Sequence, residues 1–406
     1  MVFLFYKFFN LSKTIISHYL RFIAEEDYMN RIVLLFALLI AGQLKAQEED
    51  YRRVIVTAVP FLNIAADARA AALGDMGVAT SADVFSMQWN PAKTVFNEKE
   101  QQIAFSYNPY LENIVTDIAL LNLSYFKKID DRSAFGLGMR YFTLGEIELR
   151  QYASDPGSVA KPNEIAIDGS YALKLDPNFS MGVSGRYIRS NLKIPQTTTV
   201  DTRAASSFAV DVSGYYIGDL KDKGTYDGRY RWGFNISNLG PKVTYDITGE
   251  RFFIPTNLRL GIGYDYVYSE NSVLALTFET TKLLVPTPKD FNGNGQLDAL
   301  DFERYQDIPY FEGALNSFFD APDGFSEELK EITWAISGEY TYSKRFSMRM
   351  GYFSENLEKG SKRFMSLGAG FVLDKFTLDL SYLVSNAPVL NPLQNAIRFS
   401  VRFNLI

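Results

Sequence analysis

The sequence predicts an all-β fold, a 14-stranded antiparallel transmembrane β-barrel with an N-terminal plug or hatch, and three observations carry that expectation. The first is a period of two. Within the stretch from Thr256 to Thr281, Leu258, Leu260, Ile262, Tyr264, Tyr266 and Tyr268 alternate with Arg259, Gly261, Gly263 and Asp265, giving a strand with one greasy face and one small or polar face. A turn at 269–271 then leads into a second strand that begins at Val273. The second observation is length: a strand of a soluble sandwich is about 5–6 residues, whereas crossing a bilayer at a tilt takes roughly 9–11. The third is the alternation of short and long connections, which a barrel with short periplasmic turns and long outer loops requires.

Taken in order, the chain opens with two pieces that precede the barrel. Met29, Asn30 and Arg31 followed by the apolar run 32–41, with Leu44, Lys45 and Ala46 before Gln47, have the form of a secretory signal peptide over 29–46. Residues 1–28 then read as a mis-annotated N-terminal extension with Met29 as the true start. Residues 47–100 lack strand alternation and are rich in Ala and Gly, which predicts a hatch or plug. Asp67 and Arg69 flank an Ala-rich helix there, and Gly74 and Gly77 mark close backbone approaches.

The barrel spans 101–406, with alternating segments near 101–108, 114–128, 131–143, 163–175, 177–190, 205–218, 229–239, 256–268, 271–284, 330–343, 345–354, 360–373, 375–384 and 394–406. Tight connections at 128–131, 176–177, 269–271, Lys344 and Asp374 each join an even strand to an odd one. The longest, near 144–162, 191–204, 240–255 and 285–329, join odd to even and are expected outside the cell. Both chain ends are then expected on the periplasmic side. In the last strand Ile397, Phe399, Val401, Phe403 and Leu405 share one face and Arg398, Ser400, Arg402 and Asn404 the other. Arginine is costly against lipid, so the second face lines the lumen. Arg140, Arg186, Asp211, Arg259 and Glu339 are expected to join it there as a satisfied charge network.

Composition agrees with a membrane barrel. The chain holds 25 Tyr and 32 Phe against 3 Trp, as aromatic girdles would need. A net charge of -6 with no basic stripe argues against a nucleic-acid partner. Cysteine is absent, and the single histidine, His18, lies in the doubtful leader, so thiolate chemistry and a His-based triad are not expected. No catalytic constellation stands out, and the acids Glu327 and Glu328 read as solvated loop charge.

Two features of the long 285–329 loop carry chemistry. Asp290, Asn292, Asn294 and Asp298 place side-chain oxygens at positions 1, 3, 5 and 9 of a twelve-residue loop. Gly295 sits at position 6, Gln296 offers a carbonyl at 7, and Asp301 closes at 12. That spacing wraps a Ca2+ ion, although an Asp where a bidentate Glu is usual weakens the site. The aromatics Phe311, Phe318, Phe319 and Phe325 on the same loop are candidates for a partner-binding surface.

The segment 66–81, which includes Asp67, Arg69, Gly74, Asp75 and Gly77, followed by Gln88-Trp89-Asn90-Pro91-Ala92-Lys93, resembles the opening of the PorV family. These are outer-membrane barrels of the type IX secretion system in Bacteroidetes. The Asn-Pro-Ala element also resembles FadL-type fourteen-stranded barrels with an N-terminal hatch. The resemblance covers nearly the whole mature chain; residues 1–28 match nothing expected there, which puts the start codon in doubt. It implies a non-enzymatic shuttle in the outer-membrane bilayer that docks beside the SprA (Sov) translocon. Such a shuttle takes the C-terminal signal domain of an exported cargo and delivers it to the attachment complex containing the PorU sortase. The competing expectation is a FadL-like channel for hydrophobic small molecules, because a shared fold does not fix function.

Overall fold

The computed structural model describes residues 54–405 except 111–116, 151–157, 193–203, 246–248 and 386–395. The signal-peptide and leader expectations lie outside the described residues. Fourteen antiparallel strands close into one barrel: β1 Gln101–Pro109, β2 Ile118–Lys128, β3 Ser133–Leu144, β4 Asn163–Asp176, β5 Phe179–Asn191, β6 Ala205–Ile217 and β7 Asp227–Leu239 form one half. The other half is β8 Asn257–Ser269, β9 Ser272–Leu283, β10 Ile332–Tyr342, β11 Phe346–Ser354, β12 Arg363–Leu373, β13 Phe376–Ser385 and β14 Ile397–Asn404. Each strand pairs with its sequence neighbours, and β1 pairs with β14 in the register Phe105↔Val401 to close the ring. Closure leaves no free edge, the only way a sheet satisfies its backbone in lipid.

The period of two sorts the side chains as the sequence requires. Leu260, Ile262, Trp232, Phe208, Leu367 and Phe399 point outward and are exposed, while Arg398, Ser400, Asp211, Arg231, Asp265 and Asp379 point inward and are buried. Turns between even and odd strands gather at one end with Gln101 and Leu405; the connections 145–162, 240–256 and 284–331 gather at the other. Three short ladders inside connections escape the sequence reading: Ile147–Leu149 with Ser158–Ala160, Val243–Thr244 with Arg251–Phe252, and Lys221–Asp222 with Asp227 and Gly228. Two or three residues are too few to show a period.

The N-terminal chain end, expected on the periplasmic side, lies outside the described residues. The first described segment does not lie at the short-turn end: Ile55 packs against Phe253, Val285 and Tyr305, and the Ala58 N–H donates to the Phe253 carbonyl at 2.8 Å, all at the long-loop end. From Val54 onward the chain crosses the lumen once before β1, so the first described segment lies opposite to where β1 begins. The C-terminal strand ends at the short-turn side, where the Leu405 N–H meets the Gln101 carbonyl at 3.2 Å.

The lumen is filled in three layers. Val59, Phe61 and Leu62 pack on Leu120, Phe142 and Ile188 under the long loops. A charged layer follows, and then Val84, Phe85 and Val95 pack on Ala104, Phe126, Ala134 and Ala172 near the short turns.

Candidate functional site

The charged layer is built by the hatch. Helix α1 (Ala68–Ala72) starts at Asp67, whose Oδ1 accepts the Ala70 N–H at 2.7 Å and whose Oδ2 accepts the Trp89 indole N–H at 2.9 Å. Two residues on, Arg69 donates to Asp83 at 2.8 Å within the hatch and to Glu339 on β10 at 2.6 Å. Glu339 also takes Arg349 of β11 at 2.7 Å, Arg349 reaches Asp379 of β13 at 2.7 Å, and Asp379 pairs with Arg402 of β14 at 2.8 Å. An unbroken ionic chain therefore runs from the hatch through residues of β10, β11, β13 and β14, reaching over β12. Opposite it, Arg186 pairs with Asp168 and with Asp211 at 2.9 Å. Of the other lumen arginines of the sequence reading, Arg140 lies 3.7 Å from Asp168 and Arg259 lies over the Trp89 ring at 5.5 Å.

The other hatch-motif residues fix backbone. Gly74 has φ +77, and its N–H donates to Ser366 of β12 at 3.0 Å. A Cβ on Gly77 would fall 2.3 Å from Trp89 Cγ, so no other residue fits. The Gly77 and Val78 N–H groups donate to Glu279 of β9 at 3.0 and 2.9 Å. Asp75 pairs with Arg398 at 3.4 Å. Helix α2 (Ser86–Trp89) ends at Asn90, which caps the 3-10 turn begun by Pro91 through the Ala92 N–H and ties it to Gly214 of β6. Each motif residue thus joins the hatch to itself or to the wall.

At the long-loop end, α3 (Ala299–Asp307), α4 (Tyr310–Asn316) and α5 (Phe325–Lys330) form a cap. Tyr305 anchors it, stacking edge-on against Phe253 at 5.4 Å and donating to the Pro286 carbonyl at 3.0 Å. The reading of Glu327 and Glu328 as solvated charge is corrected here: they are 3% and 5% exposed. Lys282 at the end of β9 donates to Glu328 and Glu331 at 2.8 and 2.7 Å, and Lys359 to Glu327 and Glu331 at 2.6 and 2.9 Å. These acids clamp the cap to the barrel rim, which the sequence could not reveal because Lys282 and Lys359 lie tens of residues away.

On the other side of the cap the aromatics stand free: Phe319 is 88% exposed and Phe325 72%, Phe311 is exposed as well, and Phe318 lies half-buried beside Phe319. Leu300, Phe302, Leu315 and Leu329 on the cap helices are exposed as well. They went unnoticed in the sequence because an apolar helix residue is by default assigned to a core.

In the 290–301 loop, Asp290 accepts N–H groups from Gly293 and Gly295, both at 2.6 Å, Asn292 accepts from Asn294 at 3.0 Å, and Asn294 from Gln296 at 2.8 Å. Asp298 caps α3 and takes both asparagine amides, and Asp301 closes the loop onto the Phe291 and Asp298 N–H groups. The Gly295 N–H, followed by that of Gly293, holds the Asp290 carboxyl below its ordinary range, and the Asn294 and Asn292 amides do the same for Asp298. Both are therefore anionic at neutral pH. The donor set is all oxygen, as calcium needs, although among the described residues no group of three or more His, Asp or Glu side chains converges as a metal site.

The family model described as "Type IX secretion system protein PorV" matches residues 46–290, more than half of the chain and including the whole hatch motif. The chain belongs to the PorV family. Type IX secretion is therefore its setting, and a closed barrel with an apolar outer wall is the form of an outer-membrane protein of that system. No curated protein sequence matches the chain. Among solved structures it is similar to the Pseudomonas putida toluene transporter TodX at 12% identity, covering 86% of this chain and 98% of that one with a TM-score of 0.48. It is likewise similar to the monoaromatic hydrocarbon channel CymD, 12% identical over 84% and 98% with a TM-score of 0.48. A FadL homologue of Pseudomonas aeruginosa is 12% identical over 84% and 98%, with a TM-score of 0.40.

Proposed function

We propose that this family member is a non-enzymatic shuttle in the outer membrane with its long loops facing outward. In this reading it binds the SprA (Sov) translocon and the C-terminal signal domain of exported cargo, and passes the cargo to the PorU sortase complex. One observation carries it: the lumen is closed by an ion-paired hatch, while the large exposed aromatics Phe311, Phe319 and Phe325 stand on the cap at the long-loop end. A permeation path would invert that distribution. Tagged protein purified from mildly solubilised outer membranes should bring down the translocon or sortase components, and deleting 285–329 should abolish that recovery and cargo secretion. Recovery of the barrel alone with a bound fatty ligand would favour the FadL-like channel. Secretion and co-purification unchanged by the deletion would sink the role given to the cap.

The 290–301 loop contributes to the same reading as a weak calcium site. Asp290, Asn292, Asn294, Asp298 and Asp301 would supply side-chain oxygens and Gln296 its carbonyl, and the ion would order the approach to α3. Millimolar calcium should raise the resistance of the cap to protease, and Asp290→Ala should remove that protection. Equal resistance with calcium and with chelator would reject the site.

A further inference from the structure

Beside the cap, the long-loop end carries a second feature that the ionic hatch and the exposed phenylalanines leave unused. Between the entering segment and the hairpin arms Val243–Thr244 and Arg251–Phe252 lies an open cleft of about 540 Å3. Val56, Val59, Pro60, Leu192 and Phe252 make it apolar, and Thr57, Tyr245 and Glu250 are its polar members. Its volume is that of a pocket able to enclose a few large side chains.

The floor is sealed. Val59 and Phe61 are fully buried, and beneath them Phe61 stacks on Phe142 in the outer apolar layer, so whatever enters from the loop end stops there. One wall is backbone of strand-forming composition. Val54, Ile55, Val56 and Thr57 are all β-branched and run without regular secondary structure. Among the described residues their main chain makes no hydrogen bond until the Ala58 N–H reaches Phe253. Val56 is 69% exposed at the rim. An unpaired β-prone stretch beside an apolar cleft is what strand addition uses: the main chain supplies affinity, and pockets for alternate side chains supply selectivity.

Charge narrows the occupant. Glu250 lines the cleft, and behind it the Tyr245 hydroxyl lies 2.9 Å from Ser190 Oγ, which donates to the buried Glu164 at 2.7 Å. No described Lys or Arg lines the cleft. Among the described lining residues a carboxylate-headed acyl chain would meet an acid and no counter-ion, whereas a peptide brings N–H donors and basic side chains.

We propose that the cleft seats an extended apolar segment of the exported protein's C-terminal domain, added as a strand along Val54–Ala58 with a large apolar side chain filling the cavity. The proposal rests on the shuttle reading above and adds where and how the cargo is held.

The test uses the full-length protein in nanodiscs and the C-terminal domain of an exported protein from the same cell, fused to a soluble reporter. A photo-crosslinker replaces Val56 and, as a control, Phe208 on the outer wall. Separately, Val56→Asp makes the rim polar and Thr57→Pro removes a backbone donor, and heat-modifiable gel mobility confirms that each variant folds. The expected result is a crosslink from position 56 into an apolar stretch of the domain, none from 208, and affinity lowered at least about tenfold in both variants. If the wild type binds the domain, the variants bind within about twofold and position 56 stays unlinked, the cleft assignment is overturned while the shuttle stands. If the wild type binds no cargo domain at all, the shuttle reading falls and takes this proposal with it. A neutral apolar small molecule retained by the wild type and lost in Val56→Asp, seen by native mass spectrometry, would reassign the cleft and overturn the proposal. Should either variant fail to fold, the crosslink decides.

Discussion

Arg69 shows how one side chain closes the barrel. It is buried between Asp83 and Glu339 and also reaches Ser81, so its guanidinium is fully used. Removing one member of a buried ion pair costs about 3–5 kcal/mol, because the partner's charge is left uncompensated. Arg69→Met should therefore loosen the hatch by that order, read as faster amide exchange over 67–83; unchanged exchange would mean that the wall, not the ion pairs, holds the hatch. Asp320 gives a pH-dependent case in the cap. Burial pushes its carboxyl from the ordinary 3.8 up to about 6, and it accepts the Thr287 N–H at 3.2 Å. A raised acid binds more protons folded than unfolded, so the cap loses stability as pH rises from about 4 through about 6 and carries the full penalty above. Asp320→Asn should thus slow proteolysis of the cap at pH 7.5 and leave it unchanged at pH 4. Equal rates at both would contradict the assignment. Asp67, Arg69, Trp89 and Asn90 were legible in the sequence as a motif; that Arg69 meets Glu339, 270 positions on, was not.

Among the elements, the cap owes its position to polar contacts as much as to apolar ones. Its apolar anchor is Tyr305 and Val285 against Phe253, with Phe291 and Ile308 packed beside them, and its polar contacts include the Lys282 and Lys359 clamp on α5 and its following residue Glu331. Lys282→Met leaves Glu328 and part of Glu331 buried without their cation, which should cost about 3 kcal/mol or more and expose the 285–329 connection to chymotrypsin. Lys330→Met, which removes the half-exposed pair with Glu358, should cost under about 1 kcal/mol. Similar cleavage of both variants would show that the clamp is not what seats the cap. The strands were legible because lipid on one side and a polar lumen on the other impose a strict period of two. The cap helices were not, since α3 to α5 are short and their exposed Phe302, Leu315 and Phe325 blur any amphipathic stripe.

For the whole molecule the decisive property is that the lumen is occupied throughout, apolar at each end and ionic between. In planar bilayers the protein should show no steady conductance, whereas deleting 54–96 should open a pore that passes ions. Conductance of the intact protein would speak for a channel. The sequence by itself determined the barrel: fourteen alternating segments, their order, the inward faces with Arg398 and Arg402, and the alternation of short and long connections, because each is a local pattern dictated by the solvent on either face. Tertiary structure alone decided which charges meet, that Glu327 and Glu328 are buried, that the first described segment lies at the long-loop end, and that a cleft opens beside Val56. Those follow from residues distant in the chain being brought together by ring closure, and no local pattern encodes such a meeting.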